Sequence, residues 1–145
     1  MPQVRDVLVV KGPAVHSVSP GTTVFEAIQK MNQHKIGAVL VMDGGRVVGI
    51  FTERDVLRRV LAEERPPRNV TVSEVMTQNI ICVEPETDLD EVATIMQQRK
   101  VRHIPVCDDG GQVHGMVSIG DLNAYHASNQ EAQIHFLNDY IYGRA

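Results

Sequence analysis

The chain repeats its own sequence, and this duplication limits the folds open to it more than any other feature. Residues 18–55, VSPGTTVFEAIQKMNQHKIGAVLVMDGGRVVGIFTERD, align with residues 83–121, VEPETDLDEVATIMQQRKVRHIPVCDDGGQVHGMVSIGD, with one residue inserted in the second copy. Asp55 and Asp121 therefore match at the ends of the two copies. A unit of about 60 residues is only marginally stable alone, so the two copies must share a core. We expect one unit with approximate twofold symmetry.

Each copy has the pattern of a strand, a helix, two strands and a second helix. In the first copy a short strand over Ala14–Val18 precedes a helix that Thr22 can cap. The apolar run Ala38–Met42 predicts a strand buried on both faces, and a Gly-Gly hairpin leads to a returning strand over Val47–Phe51. A second helix is expected to begin at Thr52. The predicted fold class is α/β (α+β).

The second copy predicts the same elements in the same order. Its paired strands are expected over Ile104–Cys107 and Val113–Val117. Its last helix is expected to start near Ser118 and to run toward Tyr142. Both halves therefore have the order β-α-β-β-α.

A linker over residues 62–69, with two adjacent prolines, separates the copies. We take residues 1–66 as the first repeat and residues 67–145 as the second repeat with a C-terminal helical extension. The lead-in segments before the two copies, residues 4–8 and 72–76, also resemble each other. The linker is too short for the halves to act as independent domains, so they are expected to form one module.

Composition argues against several classes of protein. The 145 residues carry a formal charge of −4 without a run of lysine or arginine, so we expect no nucleic-acid partner. No apolar stretch approaches the ~20 residues that span a membrane, and the N-terminus lacks a signal peptide, so we expect a cytoplasmic protein without a membrane partner. Cys82 and Cys107 are expected to be small buried residues. No metal site is predicted, because His103 and His114 lack a supporting Cys/His cluster.

One motif stands at the start of the second helix in both copies: Thr52-Glu53-Arg54-Asp55 and Ser118-Ile119-Gly120-Asp121. The spacing fits a capping box, in which the hydroxyl and the carboxylate satisfy amides of the first helical turn. It also fits a ligand site, because free amides at a helix start attract phosphate and the aspartate can accept the hydroxyls of a ribose. The residues alone leave both interpretations open.

Several short motifs occur in the same order in both copies. They are VSEVMT, VEPET, RKVRHIPV and GMVSIGDL in the second copy, and VSPGTT, HKIGAVLV and GIFTERDV in the first. In this order the chain resembles the CBS-domain family over nearly its whole length. The resemblance implies two CBS repeats packed through their sheets with pseudo-twofold symmetry, and two clefts between them. Members of this family bind AMP, ADP, ATP, NAD or S-adenosylmethionine in such clefts.

The resemblance also implies roles for individual residues. In each site an aspartate would accept the ribose hydroxyls, and a Thr or Ser would lie near phosphate or ribose. These residues are Thr52 and Asp55 in one site and Ser118 and Asp121 in the other, flanked by Arg54 and Gly120. The strand entry of one repeat would border the adenine held by the other, and a threonine in each early turn would close the pocket. These residues are Ile36, Gly37, Ala38, Val101, Arg102, His103, Thr22 and Thr87.

The implied function is a regulatory module that binds an adenosyl ligand, uses no catalytic cofactor and signals to a separate protein. Catalysis is not expected, because no set of nucleophile, base and orienting group is visible. A homodimer is expected from the family's habit and from the helical spacing of Ile134, Leu137 and Ile141. The alternatives are a structural or interaction module with vestigial clefts, and an enzyme acting on nucleotides. The cationic residues near the two turns are uneven, so equal occupancy of the clefts is not expected.

Overall fold

The computed structural model describes residues 1–12 and 14–128, and the predicted run of the last helix to Tyr142 lies outside them. The first repeat follows the predicted order of elements, but its first strand is Ser17–Val18 and not the predicted Ala14–Val18, because only these two residues pair with the next strand. The helix after the hairpin continues as a π-helix. The elements up to that helix are α1 (Val4–Lys11), β1 (Ser17–Val18), α2 (Val24–His34), β2 (Ala38–Asp43), β3 (Arg46–Thr52), α3 (Glu53–Asp55) and the π-helix Val56–Leu61.

A 3-10 turn over Pro67–Asn69 and a short helix lead into the second repeat. The remaining elements are α4 (Val72–Val75), α5 (Leu89–Arg99), β4 (His103–Cys107), β5 (Val113–Ser118) and a last helix, α6, over residues 119–128. β1 pairs in parallel with β2, while β2–β3 and β4–β5 are antiparallel hairpins. Among the described residues, no helix has both the length and the hydropathy that crossing a membrane requires.

The start of α2 differs by one residue from the prediction. The N-cap is Thr23, whose Oγ1 accepts a hydrogen bond from the Glu26 amide at 3.2 Å. Thr22 instead lies in the preceding turn, with its Oγ1 3.0 Å from Ser19 Oγ. The hydroxyl of a cap must reach the amide three residues on, and the Ser19–Thr22 turn leaves Thr23 in that position.

The leading strand of the second repeat also departs from the prediction. Val83 forms only an isolated parallel bridge with Val106, whereas β1 pairs over two residues with β2. In the first repeat the Leu40 amide donates to the His16 carbonyl. Pro105 stands at the position equivalent to Leu40 and has no amide hydrogen, so the corresponding bond cannot form and the pairing stops.

Cys82 lies in the connecting segment just before this bridge and is exposed, whereas Cys107 on β4 is half-buried. The prediction that both cysteines are buried is therefore wrong for Cys82 and holds only in part for Cys107. The segment before Val83 does not join the ladder, and the Cys82 side chain lies outside the second core.

The two hydrophobic cores exchange their lead-in segments. The first core, built around α2, β2 and β3, also contains Val70, Val72 and Val75 from the start of the second repeat. The second core, built around α5, β4 and β5, contains Val4 and Val7 from α1. Each repeat is thus completed by the segment that precedes the other one.

Backbone hydrogen bonds and glycines fix this exchange in the same way on both sides. The Val4 amide donates to the Thr87 carbonyl at 2.9 Å, and the Val72 amide donates to the Thr22 carbonyl at 2.8 Å. The returning strand of each repeat carries a glycine that a lead-in side chain covers. A Cβ on Gly49 would lie 2.6 Å from Met76 Sδ, and a Cβ on Gly115 would lie 3.0 Å from Leu8 Cδ2. At position 49 the Cβ would also lie 2.9 Å from the Thr77 carbonyl oxygen, so close packing of the lead-in requires glycine there. At position 115 glycine lets Leu8 pack tightly on the strand.

The sheets bury both of their faces. In β2, Val39 and Val41 belong to the first core, while Ala38 and Leu40 point to the opposite face and are also fully buried. Successive side chains of a strand alternate between faces, so a second layer must cover that face. This is the seam where the two repeats meet, and at its edge Gly37 lies against the His103 ring.

The exchange predicts that a residue of α1 stabilises the whole module. Val4→Ala removes two methyl groups from a fully buried side chain, and should lower the free energy of unfolding by about 2 kcal/mol. Val9→Ala on the same helix is the matched control, because Val9 is 81% exposed, and should change it by less than about 0.5 kcal/mol. Urea unfolding followed by circular dichroism measures both. Equal losses in the two variants would contradict the exchange.

Candidate ligand clefts

Two clefts open along the seam between the repeats, and each has walls from both halves. The first has a volume of about 330 Å³ and is lined by Gly37, Ile50, Thr52, Glu53, Arg54, Asp55, Arg58, Arg59, Thr77, Lys100, Val101, Arg102 and His103. The second has a volume of about 300 Å³ and is lined by Lys11, Ala14, Val15, His16, Lys35, Ile36, Gly37, Ala38, His103, Met116, Ser118 and Asp121. We call them cleft 1 and cleft 2.

Most of the residues selected from sequence lie in these clefts, in the crossed arrangement that the resemblance implied. Cleft 1 combines the Thr52–Asp55 turn with the entry to β4, residues 101–103. Cleft 2 combines Ser118 and Asp121 with the entry to β2, residues 36–38. Their binding of a ligand stays a prediction, since position alone does not test it.

Three selected residues do not line either cleft. Thr22 and Thr87 lie in the early turns, where their carbonyls accept hydrogen bonds from the exchanged lead-in segments. The Thr87 hydroxyl also accepts from the Glu84 amide at 3.1 Å. Gly120 lies in the first turn of α6, and a Cβ built on it would lie 3.6 Å from Ser118 Oγ. In the structure these threonines stabilise the exchange.

The structure adds cleft residues that sequence analysis missed. Arg58 and Arg59 follow Asp55 by three and four positions, so helical spacing alone would have placed them beside it. Lys100 directly precedes the selected strand entry. Lys11 gave no such signal, because it reaches cleft 2 through the exchange of α1. His16, which also lines cleft 2, directly precedes β1 of its own repeat. No grouping of three or more metal-ligating side chains occurs in the described part of the chain.

The first turn forms a complete capping box. Thr52 Oγ1 accepts from the Asp55 amide at 3.2 Å, and Asp55 Oδ2 accepts from the Thr52 amide at 3.1 Å. The carboxylate also accepts from Thr77 Oγ1 at 3.2 Å and lies 3.6 Å from Arg59 Nε. Its side chain is only 6% exposed. Asp55 is therefore largely satisfied by the protein, although it forms part of the wall of cleft 1.

The second turn repeats the box with a different set of neighbours. Ser118 Oγ accepts from the Asp121 amide at 3.0 Å, and Asp121 Oδ2 accepts from the Ser118 amide at 2.8 Å. Lys11 Nζ donates to the same oxygen at 2.8 Å. Burial raises the pKa of Asp121, but the hydrogen bonds from Lys11 and Ser118 outweigh it and hold that pKa below its usual value. Asp121 is thus a stable anion near neutral pH, and 24% of its side chain is exposed.

The capping boxes change what the helix starts can offer a ligand. The Glu53 amide donates to the Gly37 carbonyl, and the Ile119 amide donates to the Arg102 carbonyl. With the box amides also engaged, the amides of Arg54 and Gly120 are the remaining ones in each first turn. The sequence predicts several free amides at each helix start for a phosphate, but only one remains in each first turn. Cationic side chains must supply the rest of any phosphate contact.

Those cations are concentrated in cleft 1. Its lining includes five cationic and two acidic side chains; the cations are Arg54, Arg58, Arg59, Lys100 and Arg102. Cleft 2 has two lysines, and one of them, Lys11, is paired with Asp121. The cationic side chains are therefore divided unevenly between the clefts, as the sequence predicts. The crossed arrangement places Arg54 and Arg102 in the same cleft.

His103 and Gly37 line both clefts, so the imidazole forms part of the partition between them. A Cβ on Gly37 would lie 3.4 Å from His103 Cε1, which is ordinary contact. Burial and then the charge of Lys11 lower the pKa of His103, against the opposing charges of Asp121 and Glu53. The ring is therefore neutral near pH 7 and adds no cation to either cleft.

Comparisons with known proteins agree with this architecture. The sequence model of the CBS domain matches residues 4–62 and 72–127. The CBS domain-containing protein YhcV of Bacillus subtilis (strain 168) is 34% identical over 132 residues, which cover 91% of each chain. The mitochondrial CBS domain-containing protein CBSX3 of Arabidopsis thaliana is 37% identical over 126 residues. That match covers 83% of this chain and 61% of CBSX3.

Solved structures show the same fold. A protein with CBS domains from Burkholderia ambifaria MC40-6 is 37% identical, with a TM-score of 0.85 over 89% of this chain and 96% of the other. The CBS domain pair of protein MJ0100, solved with 5′-methylthioadenosine and S-adenosyl-L-methionine, is 26% identical, with a TM-score of 0.79 over 88% of this chain and 98% of the other. With both repeats matched and the paired architecture shared, this chain belongs to the CBS-domain family and is a CBS domain pair.

Proposed function

We propose that this CBS pair is a regulatory module that binds an adenosine-containing ligand and signals to a separate protein. The observation that carries the proposal is the pair of clefts at the seam, each with a Thr/Ser-x-x-Asp turn in its wall. The candidate ligands are AMP, ADP, ATP, NAD and S-adenosylmethionine. The complex of the MJ0100 pair with two adenosyl compounds supports this class of ligand. Asp55 and Asp121 lie in different clefts, which argues against a catalytic carboxylate pair.

The composition of the cleft walls explains how a bound ligand can act as a signal. Each cleft takes residues from both repeats, so a bound ligand contacts both halves at once. A ligand shifts the packing of the repeats only through a difference in its affinity for the two arrangements. Contacts across the seam provide such a difference, because they change whenever the repeats move against each other.

Asp121 can hold a ribose without giving up its cap. In Asp121 the Lys11 and Ser118 hydrogen bonds all go to Oδ2. Within the part of the chain that the structure describes, Oδ1 has no hydrogen-bond donor of its own and is left for a ribose hydroxyl. The capping box then orients the carboxylate, so the two interpretations left open by the sequence are compatible.

A second candidate function rests on the same carboxylates. Asp55 is nearly buried and already paired, and Lys11 closes on Asp121 in cleft 2. These contacts suit an interaction module whose clefts no longer bind ligands. A thermal-shift screen with adenosyl compounds separates the two candidates. The cytoplasmic location and the identity of the regulated partner stay predictions, and one relative, CBSX3, is mitochondrial by its name.

The regulatory proposal predicts stabilisation by an adenosyl ligand. At about 100 times its Kd, a ligand should raise the free energy of unfolding by about 2.7 kcal/mol, which corresponds to a rise in Tm of roughly 5–10 °C. A thermal-shift screen with AMP, ADP, ATP, NAD and S-adenosylmethionine, followed by calorimetry, measures it. Guanosine and cytidine nucleotides are the controls. Unchanged Tm with all five compounds at millimolar concentration would favour the vestigial clefts.

The charge of cleft 1 predicts a preference for polyphosphate. Arg102 is exposed on its rim, whereas Arg54 and Arg59 already donate to the carbonyls of Lys100 and Met76. Arg102→Gln should weaken ATP binding about 10- to 150-fold, the effect of losing one charge-assisted hydrogen bond. Adenosine binding should change by less than about threefold. Arg46→Gln, in the hairpin outside both clefts, should leave both affinities unchanged. Equal losses for ATP and adenosine would contradict the phosphate role of Arg102.

We also propose a homodimer. Leu57 and Leu61 on the π-helix and Ile119 on α6 are exposed apolar side chains, with exposed fractions of 61%, 56% and 42%. Burial against a second copy would remove these side chains from water, and twofold dimers are the commonest oligomers. Sedimentation should show a particle of about 32 kDa, twice the 16.1 kDa chain. Leu57→Asp/Leu61→Asp should shift it to the monomer. A wild-type monomer at tens of micromolar, with and without ligand, would rule out the dimer.

A further inference from the structure

The two cysteines lie in contact, although 25 positions separate them along the chain. The Sγ atoms of Cys82 and Cys107 are 3.3 Å apart, and both are free thiols. A disulfide bond has a length of about 2.05 Å, so the sulfurs need to approach by about 1.3 Å. The movement falls to the exposed Cys82 side chain, because Cys107 is held in β4.

The backbone beside the thiols keeps them together. The Val83 amide donates to the Pro105 carbonyl at 3.0 Å, and the Cys107 amide donates to the Val83 carbonyl at 2.9 Å. Cys82 directly precedes this bridge and Cys107 takes part in it. The contact between the sulfurs therefore follows from the backbone pairing of the folded protein.

We propose that Cys82 and Cys107 form a reversible intramolecular disulfide when the protein meets a hydroperoxide. The Cys82 thiolate attacks the O–O bond of hydrogen peroxide, its sulfur is oxidised to a sulfenic acid, and the leaving hydroxide takes up a proton to form water. The Cys107 sulfur then attacks the Cys82 sulfur. The S–S bond forms as the S–O bond breaks, and a second water leaves with the Cys107 proton. Two thiols and one peroxide thus give one disulfide and two waters.

The environments of the two thiols assign these roles. Cys82 is exposed, so a peroxide can reach it. Burial, the hydrogen bond with Cys82 and the nearby charge of Asp108 raise the pKa of Cys107 to about 12. Cys107 therefore stays protonated at neutral pH and is not the thiol that meets the oxidant first. It serves as the resolving thiol because it is already in contact with Cys82.

The bond would join two parts of the module that bear on the clefts. Cys82 ends the segment 78–82, which connects Thr77 in the wall of cleft 1 to the second core. Cys107 ends β4, whose first residue is His103, the partition between the clefts. Oxidation would fix the connecting segment to that strand. The proposal itself does not depend on ligand binding in the clefts.

The test uses the full chain, treated with hydrogen peroxide and then with dithiothreitol. Wild type should lose both titratable thiols, remain a single chain on non-reducing gels and lose the mass of two hydrogen atoms. Peptide mapping should join the two cysteine peptides, and dithiothreitol should restore both thiols. The closed loop should raise Tm on the order of 5–10 °C in the oxidised form.

The single variants Cys82→Ser and Cys107→Ser provide the matched controls. Cys107→Ser should accumulate Cys82 as a sulfenic or sulfinic acid, or should form an intermolecular disulfide through Cys82. Cys82→Ser should react much more slowly with peroxide. If Cys107→Ser does not fold, Cys107→Ala replaces it, and the wild-type mapping stands without either variant. The proposal is overturned if wild type keeps both thiols, if its oxidation products are those of Cys107→Ser, or if only intermolecular disulfides form.

Discussion

The exchange of lead-in segments between the two cores is the constraint on which the rest of the structure depends. Val4 and Val7 complete the core of the second repeat, while Val72 and Val75 complete that of the first. Neither repeat can bury its apolar surface without the segment that precedes the other. The halves therefore cannot separate without opening both cores, which explains how two units of about 60 residues form a stable module.

The clefts are a consequence of this arrangement. With the sheets packed across a seam, the turn that starts the last helix of each repeat lies opposite the strand entry of the other. The exchange also delivers Lys11 to cleft 2, where it pairs with Asp121. Cleft 1 receives the arginines of the π-helix and the strand entry of the second repeat. A pseudosymmetric backbone therefore carries two electrostatically different sites, and this difference comes from a handful of side chains.

The Thr/Ser-x-x-Asp turns show how one motif can have both a structural and a functional use. Both aspartates complete capping boxes, so the structural interpretation holds for each. The box also fixes the direction of the carboxylate at the wall of the cleft. Removing an aspartate would therefore change the cap as well as the cleft, whereas Arg102 has no such second role in the described contacts. A substitution of Arg102 therefore tests ligand binding more directly than a substitution of either aspartate.

The order of elements was readable from the sequence because the periodicity of apolar residues is a local property. β2 and β3 lie within a residue or two of their predicted bounds, and the second helix begins at the Thr52 cap as expected. The departures have physical causes: Thr23 replaces Thr22 as a cap because of the turn before it, and Pro105 removes the amide that would lengthen the strand at Val83.

The sequence by itself determined the duplication, the family and the two turns that carry the motif, since each is a pattern of neighbouring residues. Only the tertiary structure decided which lead-in completes which core, that Lys11 reaches Asp121, and that Cys82 meets Cys107. Those contacts join residues 25 to 110 positions apart. No spacing in the chain encodes them, because they arise from the burial of two apolar surfaces against each other.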